Sequence, residues 1–188
     1  MKKLLFMVVA VCAICAAFAI SYKSKTQTPN SDVLVAYFSA TGNTKNVAER
    51  LAEATNADLF EIKPVQEYTA DDLNWQNDNS RSSVEMRDKN SRPEIASKIT
   101  DITPYKIIFV GFPIWWGREP SIIDTFLTSY DFADKTIVPF ATSGSTPTTD
   151  AAAENMRLIV PTSVSTGRRF STDVSVDELK SWAAEWVK

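Results

Sequence analysis

Val33-Leu34-Val35-Ala36-Tyr37-Phe38 is an unbroken apolar run of strand length, and Lys106 to Phe112 and Thr136 to Ala141 repeat the pattern. Runs without polar alternation read as strands buried on both faces, as in parallel sheets. Between them the period changes. Val47, Ala48, Leu51 and Ala54 recur at helical spacing within Asn43 to Thr55. Leu59 to Ile62 reads as a short strand, and Pro93 to Thr100 as a brief helix through Ile95, Ala96 and Ile99. Helices are predicted over Ser121 to Tyr130 and Thr149 to Leu158. A weak strand near Thr162 to Phe170 precedes a last helix, Val176 to Lys188, with Leu179, Trp182, Ala183 and Trp186 on one stripe. Alternating strands and helices, five of each in this reading of the chain, predict a doubly wound α/β fold with helices on both faces of a parallel sheet. One stretch does not fit. Pro64 to Arg92 is polar, with Tyr68 and Trp75 set among Asp71, Asp72, Asn74, Asn77, Asp78 and Asn79. So long an insertion in a compact domain is either functional or disordered.

The N-terminus carries a different signal. Lys2 and Lys3 precede an apolar run from Leu4 to Ile20 that contains the small-x-small triplet Ala17-Phe18-Ala19. This reads as a secretory signal over residues 1–19, with residues 20–31 a flexible leader and residues 32–188 the working domain. The alternative is an uncleaved membrane anchor through residues 4–20, although 17 residues fall short of the roughly 20 that span a bilayer. Either way the chain is expected to be exported, periplasmic or membrane-associated. The chain has no His, and its two Cys, Cys12 and Cys15, both lie in that segment. This removes Ser-His-Asp and Cys-His nucleophiles, imidazole acids and bases, and thiolate or imidazole metal sites from the working domain. A formal charge of −3 and a pI near 5.1 argue against a nucleic-acid partner. If the chain is an enzyme, a cofactor must supply the hard chemistry, or carboxylates and hydroxyls must manage alone.

Of the five glycines, Gly42, Gly111, Gly117 and Gly144 fall at or just beyond the carboxyl ends of the first, third and fourth predicted strands. Ligands of open α/β sheets bind outside those ends. The most specific of these loops is the first. Ser39-Ala40-Thr41-Gly42-Asn43-Thr44 places three hydroxyls and a carboxamide at a helix start, where free N–H groups and the helix dipole favour an anion. It lacks G-K-[ST] and G-x-G-x-x-G, so it is neither a nucleoside-triphosphate loop nor a dinucleotide fingerprint. Neutral donors of this kind suit one terminal phosphate.

The stretch from Val35 to Leu51, with its aromatic before the loop and its S-x-T-G-N-T core, resembles the flavin mononucleotide (FMN) phosphate loop of the flavodoxins. Gly111-Phe112-Pro113-Ile114-Trp115-Trp116-Gly117 resembles the second flavin-contacting loop of flavodoxins and flavodoxin-like quinone reductases. Pro139 to Ser145 resembles the third. The resemblance runs through about Asp32 to Lys188. It implies a flavodoxin-like sheet of five parallel strands in the order 2-1-3-4-5 and non-covalent FMN. The cofactor-binding residues it implies are Ser39, Ala40, Thr41, Gly42, Asn43, Thr44, Pro113, Ile114, Trp115, Trp116, Gly117, Thr142, Ser143, Gly144 and Ser145, with no catalytic side chain and no metal. Trp115 or Trp116 is expected to stack on or border the flavin, because a flat electron-poor ring and an indole attract one another. Thr142 to Thr146 would either bond the pyrimidine edge or cap the next helix.

The third loop departs from the flavodoxin pattern in having no aromatic. One flavin face would then be open, or covered by the insertion through Trp75 or Tyr68, and an open face favours a reductase over a dedicated carrier. Arg81, Arg87 and Arg92 in the insertion either meet an anionic ligand or are simply solvated. The leading expectation is an exported electron-transfer protein whose donor is a redox partner protein or a membrane component, since pyridine nucleotides are not expected outside the cytoplasm. The alternatives are a flavin-dependent NAD(P)H/quinone reductase of the same fold, and a phosphate-ligand binding module without redox activity.

Overall fold

The computed structural model describes residues 31–160 and 163–187. The signal or anchor segment and nearly all of the leader lie outside the described residues. Strand β1 (Val33–Tyr37) is wholly buried and occupies the middle of the sheet, between β2 (Asp58–Glu61) and β3 (Ile107–Pro113), both parallel to it. Strand β4 (Thr136–Thr142) follows β3, again in parallel. The order β2-β1-β3-β4-β5 reverses direction at β1, the topology expected from the resemblance.

The outer strand is split. β5 (Ser163–Val164) and β6 (Arg168–Phe170) pair in succession with the same edge of β4. Pro139 explains the break. The Ile137 carbonyl accepts from Ser165 N at 2.9 Å, so the backbone of Pro139, two residues on, faces that same edge without an N–H to offer. The chain bulges there, and Gly167 passes so close that an added Cβ would lie 2.2 Å from the Pro139 carbonyl oxygen.

Because side chains alternate along buried strands, each strand supplies two cores. Leu34, Ala36, Ile108, Val110, Phe112 and Ile137 face α3 (Ser121–Thr128) and α4 (Asp150–Ile159). Val33, Val35, Tyr37, Phe109, Val138 and Phe140 face α1 (Asn43–Thr55) and α5 (Val176–Ala183). The α5 stripe is part of this second core: Trp182 and Trp186 pack on Phe109 at 5.4 and 6.1 Å between ring centroids.

One predicted element is absent. Residues 93–100 are not a helix, because their backbone is used elsewhere. Val65 N donates to Glu94 O at 2.9 Å and Ala96 N to Lys63 O at 2.8 Å, which makes an antiparallel bridge between Pro64 and Ile95. The fifth helix is instead α2 (Arg81–Arg87), inside the insertion. That insertion is ordered. Tyr68 donates to Glu85 at 2.5 Å, Arg81 bonds Glu85 at 2.7 Å and lies 4.1 Å over the Tyr68 ring, and Thr69 and Asp72 bond each other three ways. The Glu85 carbonyl then accepts from Ser121 at 3.1 Å, tying the insertion to the start of α3. Burial and the Glu85 carboxylate raise the Tyr68 phenol well above its usual range. Gly111 lies near the carboxyl end of β3, with the Phe140 ring over it, 2.2 Å from where a Cβ would sit.

Candidate functional site

The first loop ends in a helix start of unusual composition. Gly42 is the N-cap, in the left-handed region at φ 88°, and α1 has no side-chain cap and no acidic residue in its first turn. Helices usually satisfy their first N–H groups with a Ser or Asp oxygen and balance the dipole with an acid. Here Ser39 Oγ accepts from Gly42 N at 3.1 Å, and the first-turn N–H groups and the dipole's positive end are left to an external anion. Thr41 and Asn43 are exposed and Ser39 is half-buried.

Thr44 has another task. It is buried, and its hydroxyl lies 2.9 Å from that of Thr142 at the end of β4, a link between the first and third loops across 98 residues of sequence. The second and third loops are joined as well, since Ile114 N donates to Thr142 O at 3.0 Å. The three loops are therefore tied to one another through Thr142.

The second loop is a hairpin. Trp115 and Arg118 exchange both backbone hydrogen bonds, at 2.9 and 3.1 Å. Between them Trp116 and Gly117 have φ 47° and 87°, the pair of positive angles that a type I′ turn demands. Gly117 adopts this freely, whereas Trp116 is strained by about 1–2 kcal/mol. The turn separates the two indoles. Trp115 packs edge-on against Phe38 and Tyr68, at 5.6 and 5.3 Å between centroids. Trp116 is 51% exposed.

Around these loops lies a cleft of about 420 Å³, in the size range of small-molecule sites. Asn43 reaches it from the first loop, Pro113, Ile114 and Trp115 from the second, and Thr142, Ser143, Gly144 and Ser145 from the third. Ser39, Ala40, Thr41, Gly42 and Thr44 shape the loop without lining this cleft, and Trp116 and Gly117 turn away from it. The fourth wall comes from Arg169, Phe170, Ser171 and Thr172 at the end of β6, and none of these was expected from sequence. Arg169 donates to the Ser143 carbonyl at 3.1 Å and, among the described residues, is the one charged residue lining the cleft. Its only sequence signal is position, at the carboxyl end of the weakest strand. A larger hollow of about 500 Å³, between residues 92–99 and α3, holds none of the implied cofactor-binding residues, although Arg92 borders it.

Behind the hairpin is a buried pair of carboxyls. Glu119 is wholly buried and Asp124 nearly so. Asn155 from α4 donates to Glu119 Oε1 and, at 3.3 Å, to Asp124; Arg118 lies 3.5 Å from Glu119 Oε1 and 3.4 Å from Asp124 Oδ2. Arg92 approaches Asp124 at 3.7 Å. Burial, then the adjacent Asp124 charge, pushes Glu119 up to about 8. Burial also raises Asp124, against the pull of Glu119, Arg118 and Arg92. Both carboxyls are therefore biased toward their protonated forms, Glu119 the more strongly. The pair anchors Arg118, the last residue of the Trp hairpin. Asp124 on the apolar face of α3, between Ile123 and Phe126, was the readable sign of it.

A doubly wound sheet, with an uncapped helix start and three tied loops at the carboxyl ends of β1, β3 and β4, defines an α/β protein of the class that places its ligand site outside the carboxyl ends of its strands. The comparisons agree. The flavodoxin family model matches residues 32–186, and the chain belongs to that family. It is similar to a flavoprotein from Bacteroides eggerthii at 43% identity, covering 83% of this chain and 98% of that one with a TM-score of 0.78. A flavoprotein from Bacteroides uniformis is 45% identical over 81% of this chain and 97% of its own, with a TM-score of 0.77. A Lactobacillus acidophilus flavoprotein, solved in complex with FMN, shares the fold at 22% identity and a TM-score of 0.63, over 83% of this chain and 98% of its own. A search of curated proteins found no match.

Proposed function

We infer that this flavodoxin-family chain binds FMN non-covalently in the three-loop cleft and works in electron transfer. The observation that carries the reading is the helix α1 start, which has no side-chain cap and no first-turn acid and faces the cleft bounded by the other two loops. The Ser39 to Thr44 loop would hold the phosphate with neutral donors and the α1 dipole. The Thr44–Thr142 and Ile114–Thr142 bonds keep that loop in register with the two loops that would flank the ring. Trp115, braced by Phe38 and Tyr68, presents a fixed apolar wall, and Ser143 and Ser145 supply hydroxyls. The cleft residues fit such a group: they are neutral or cationic, and a phosphate-bearing ligand meets no buried acid there. When bound, the flavin supplies the redox chemistry; the protein binds it, orients it and sets its surroundings. The FMN held by the Lactobacillus acidophilus relative supports the reading.

The test is a titration of the full chain with FMN, followed by flavin fluorescence. Saturation at micromolar affinity or tighter is expected, and no binding by folded protein overturns the reading. Mixing the loaded protein with NAD(P)H then separates a carrier, which reacts slowly, from a reductase, which is reduced at once. Export, and with it a protein or membrane electron donor, is part of the same proposal. Mass spectrometry of the mature chain, showing whether residues 1–19 are removed, tests it.

A further inference from the structure

The hollow between residues 92–99 and α3 measures about 500 Å³, within the range of small-molecule sites, and shares no residue with the three-loop cleft. Its two walls are held in place. The Ser97 hydroxyl donates to Glu61 O at 2.7 Å and accepts from Lys63 N at 3.0 Å, which fastens the 92–99 segment to the end of β2. Across the hollow, Tyr130 accepts from Ile99 N at 2.9 Å, and its ring packs on Phe126 and Phe132 at 5.4 and 6.3 Å between centroids. Ile95, Ile99 and the Tyr130 ring, all half-buried, give the hollow its apolar part.

Two cations share that lining. Arg92 is held through a single nitrogen: Nη1 donates to Ser91 O at 2.7 Å and to Lys89 O at 3.1 Å, and lies 3.7 Å from the buried Asp124 carboxyl. Nε and Nη2 have no partner among the described residues. They form the paired edge of the guanidinium, whose two parallel N–H groups match the two oxygens of a carboxylate. Lys98 lines the same hollow, exposed and without a partner among the described residues. The Tyr130 hydroxyl, having accepted from Ile99, still has its own proton to give. Among the described residues Glu94 is the one acid on the wall. Two cations against one acid suit a ligand with a single negative charge, since a second carboxylate would meet Glu94.

We propose that this hollow is a second ligand site, separate from the FMN cleft, for an organic monocarboxylate with a compact apolar body. The carboxylate takes the Nε–Nη2 edge of Arg92, with Lys98 and the Tyr130 hydroxyl beside it, and the body lies against Ile95, Ile99 and the Tyr130 ring. Binding there does not require FMN, so the two readings fail separately.

The experiment is isothermal titration calorimetry of the full chain with 3-phenylpropionate, with 3-phenylpropanol, which keeps the body without the charge, and with the dianion phenylsuccinate. The monoacid is expected to bind about tenfold more tightly than the alcohol. Arg92→Lys keeps the charge but loses the paired edge, and should weaken the monoacid about tenfold while leaving the alcohol unchanged. Because Arg92 also meets Asp124, the unfolding midpoint of that variant is measured alongside. Lys98→Gln changes an exposed residue and should weaken the monoacid about threefold whether or not the Arg92 variant folds. Phenylsuccinate should bind less tightly than the monoacid in the wild type, and Glu94→Gln should close that gap. Equal affinities for the monoacid and the alcohol, or a preference that survives both cation variants, overturns the proposal. Acetate binding as tightly as 3-phenylpropionate overturns it too, since a bare anion contact needs no apolar pocket. So does competition with FMN. Binding of the monoacid by a chain that does not bind FMN overturns the flavin reading and leaves this site standing.

Discussion

Glu119→Gln tests the buried carboxyl pair behind the Trp hairpin. An amide keeps the shape and neutrality of a protonated carboxyl and can still accept from Asn155 and Arg118. In the unfolded chain Glu119 titrates near 4.5; in the folded protein burial and Asp124 push it to about 8. Between those values the folded state holds a proton that the unfolded state has lost. Stability therefore falls as pH rises from about 4.5 and levels off above about 8. At 1.36 kcal/mol per pH unit, the interval sets a ceiling near ~5 kcal/mol, and relaxation of the site brings the expected loss to about 2–4 kcal/mol. The chain has no His to titrate within the window, and the raised Asp124 is present in both proteins, so their difference isolates Glu119. Urea unfolding followed by tryptophan fluorescence from pH 5 to pH 9 reads the effect. The variant should match the wild type within about 1 kcal/mol at pH 5 and exceed it at pH 9. Parallel curves for the two proteins would refute a proton shared at this site.

The remaining expectations concern the loops. Thr44→Val leaves the Thr142 hydroxyl without its buried partner and should cost about 1–3 kcal/mol in denaturant unfolding; combined with Thr142→Val the loss should be less than the sum of the two. FMN affinity measured on the same Thr44→Val protein separates this structural role from any contact with phosphate, because a direct contact would weaken binding beyond the loss of stability. Trp116→Asn should stabilise the fold by up to about 1 kcal/mol, since Asn tolerates the left-handed angle that strains Trp, and calorimetric melting reads the gain. Gly167→Ala drives a Cβ to 2.2 Å from the Pro139 carbonyl, and neither backbone can move cheaply. A loss of about 1–3 kcal/mol is expected, and a neutral result would mean that the outer strand is looser than it looks.

Much of the architecture could be read from local pattern. The apolar runs at Val33 and Ile107 are strands because nothing polar interrupts them, and α1 runs over Asn43–Thr55 as its spacing predicted. The strand order follows from the resemblance carried by the first loop, where the chemistry of a phosphate site and the geometry of a strand-to-helix turn coincide in a few residues. Residues 93–100 show where local pattern fails. Their apolar spacing suits a helix, but the neighbouring 63–65 segment offers backbone partners that a helix would forgo. α2 was missed for the opposite reason. Its sequence, Arg81-Ser82-Ser83-Val84-Glu85-Met86-Arg87, is poor in helical signal and is held by Tyr68, Gln66 and Ser121 from outside it.

The sequence by itself determined the alternation of strand and helix, the fold class and the loops that carry glycines and hydroxyls, because these depend on neighbours a few residues apart. Only the tertiary structure decided how those groups are spent. It paired the Thr44 hydroxyl with Thr142, turned Trp115 inward and Trp116 outward by one hairpin, and brought Arg169 and Phe170 into the cleft wall. It also closed two carboxyls together in the core and left the Ser82 hydroxyl without a partner among the described residues. Each of these depends on contacts between distant segments, where burial, backbone angle and the supply of hydrogen-bond partners are settled only after the sheet has assembled.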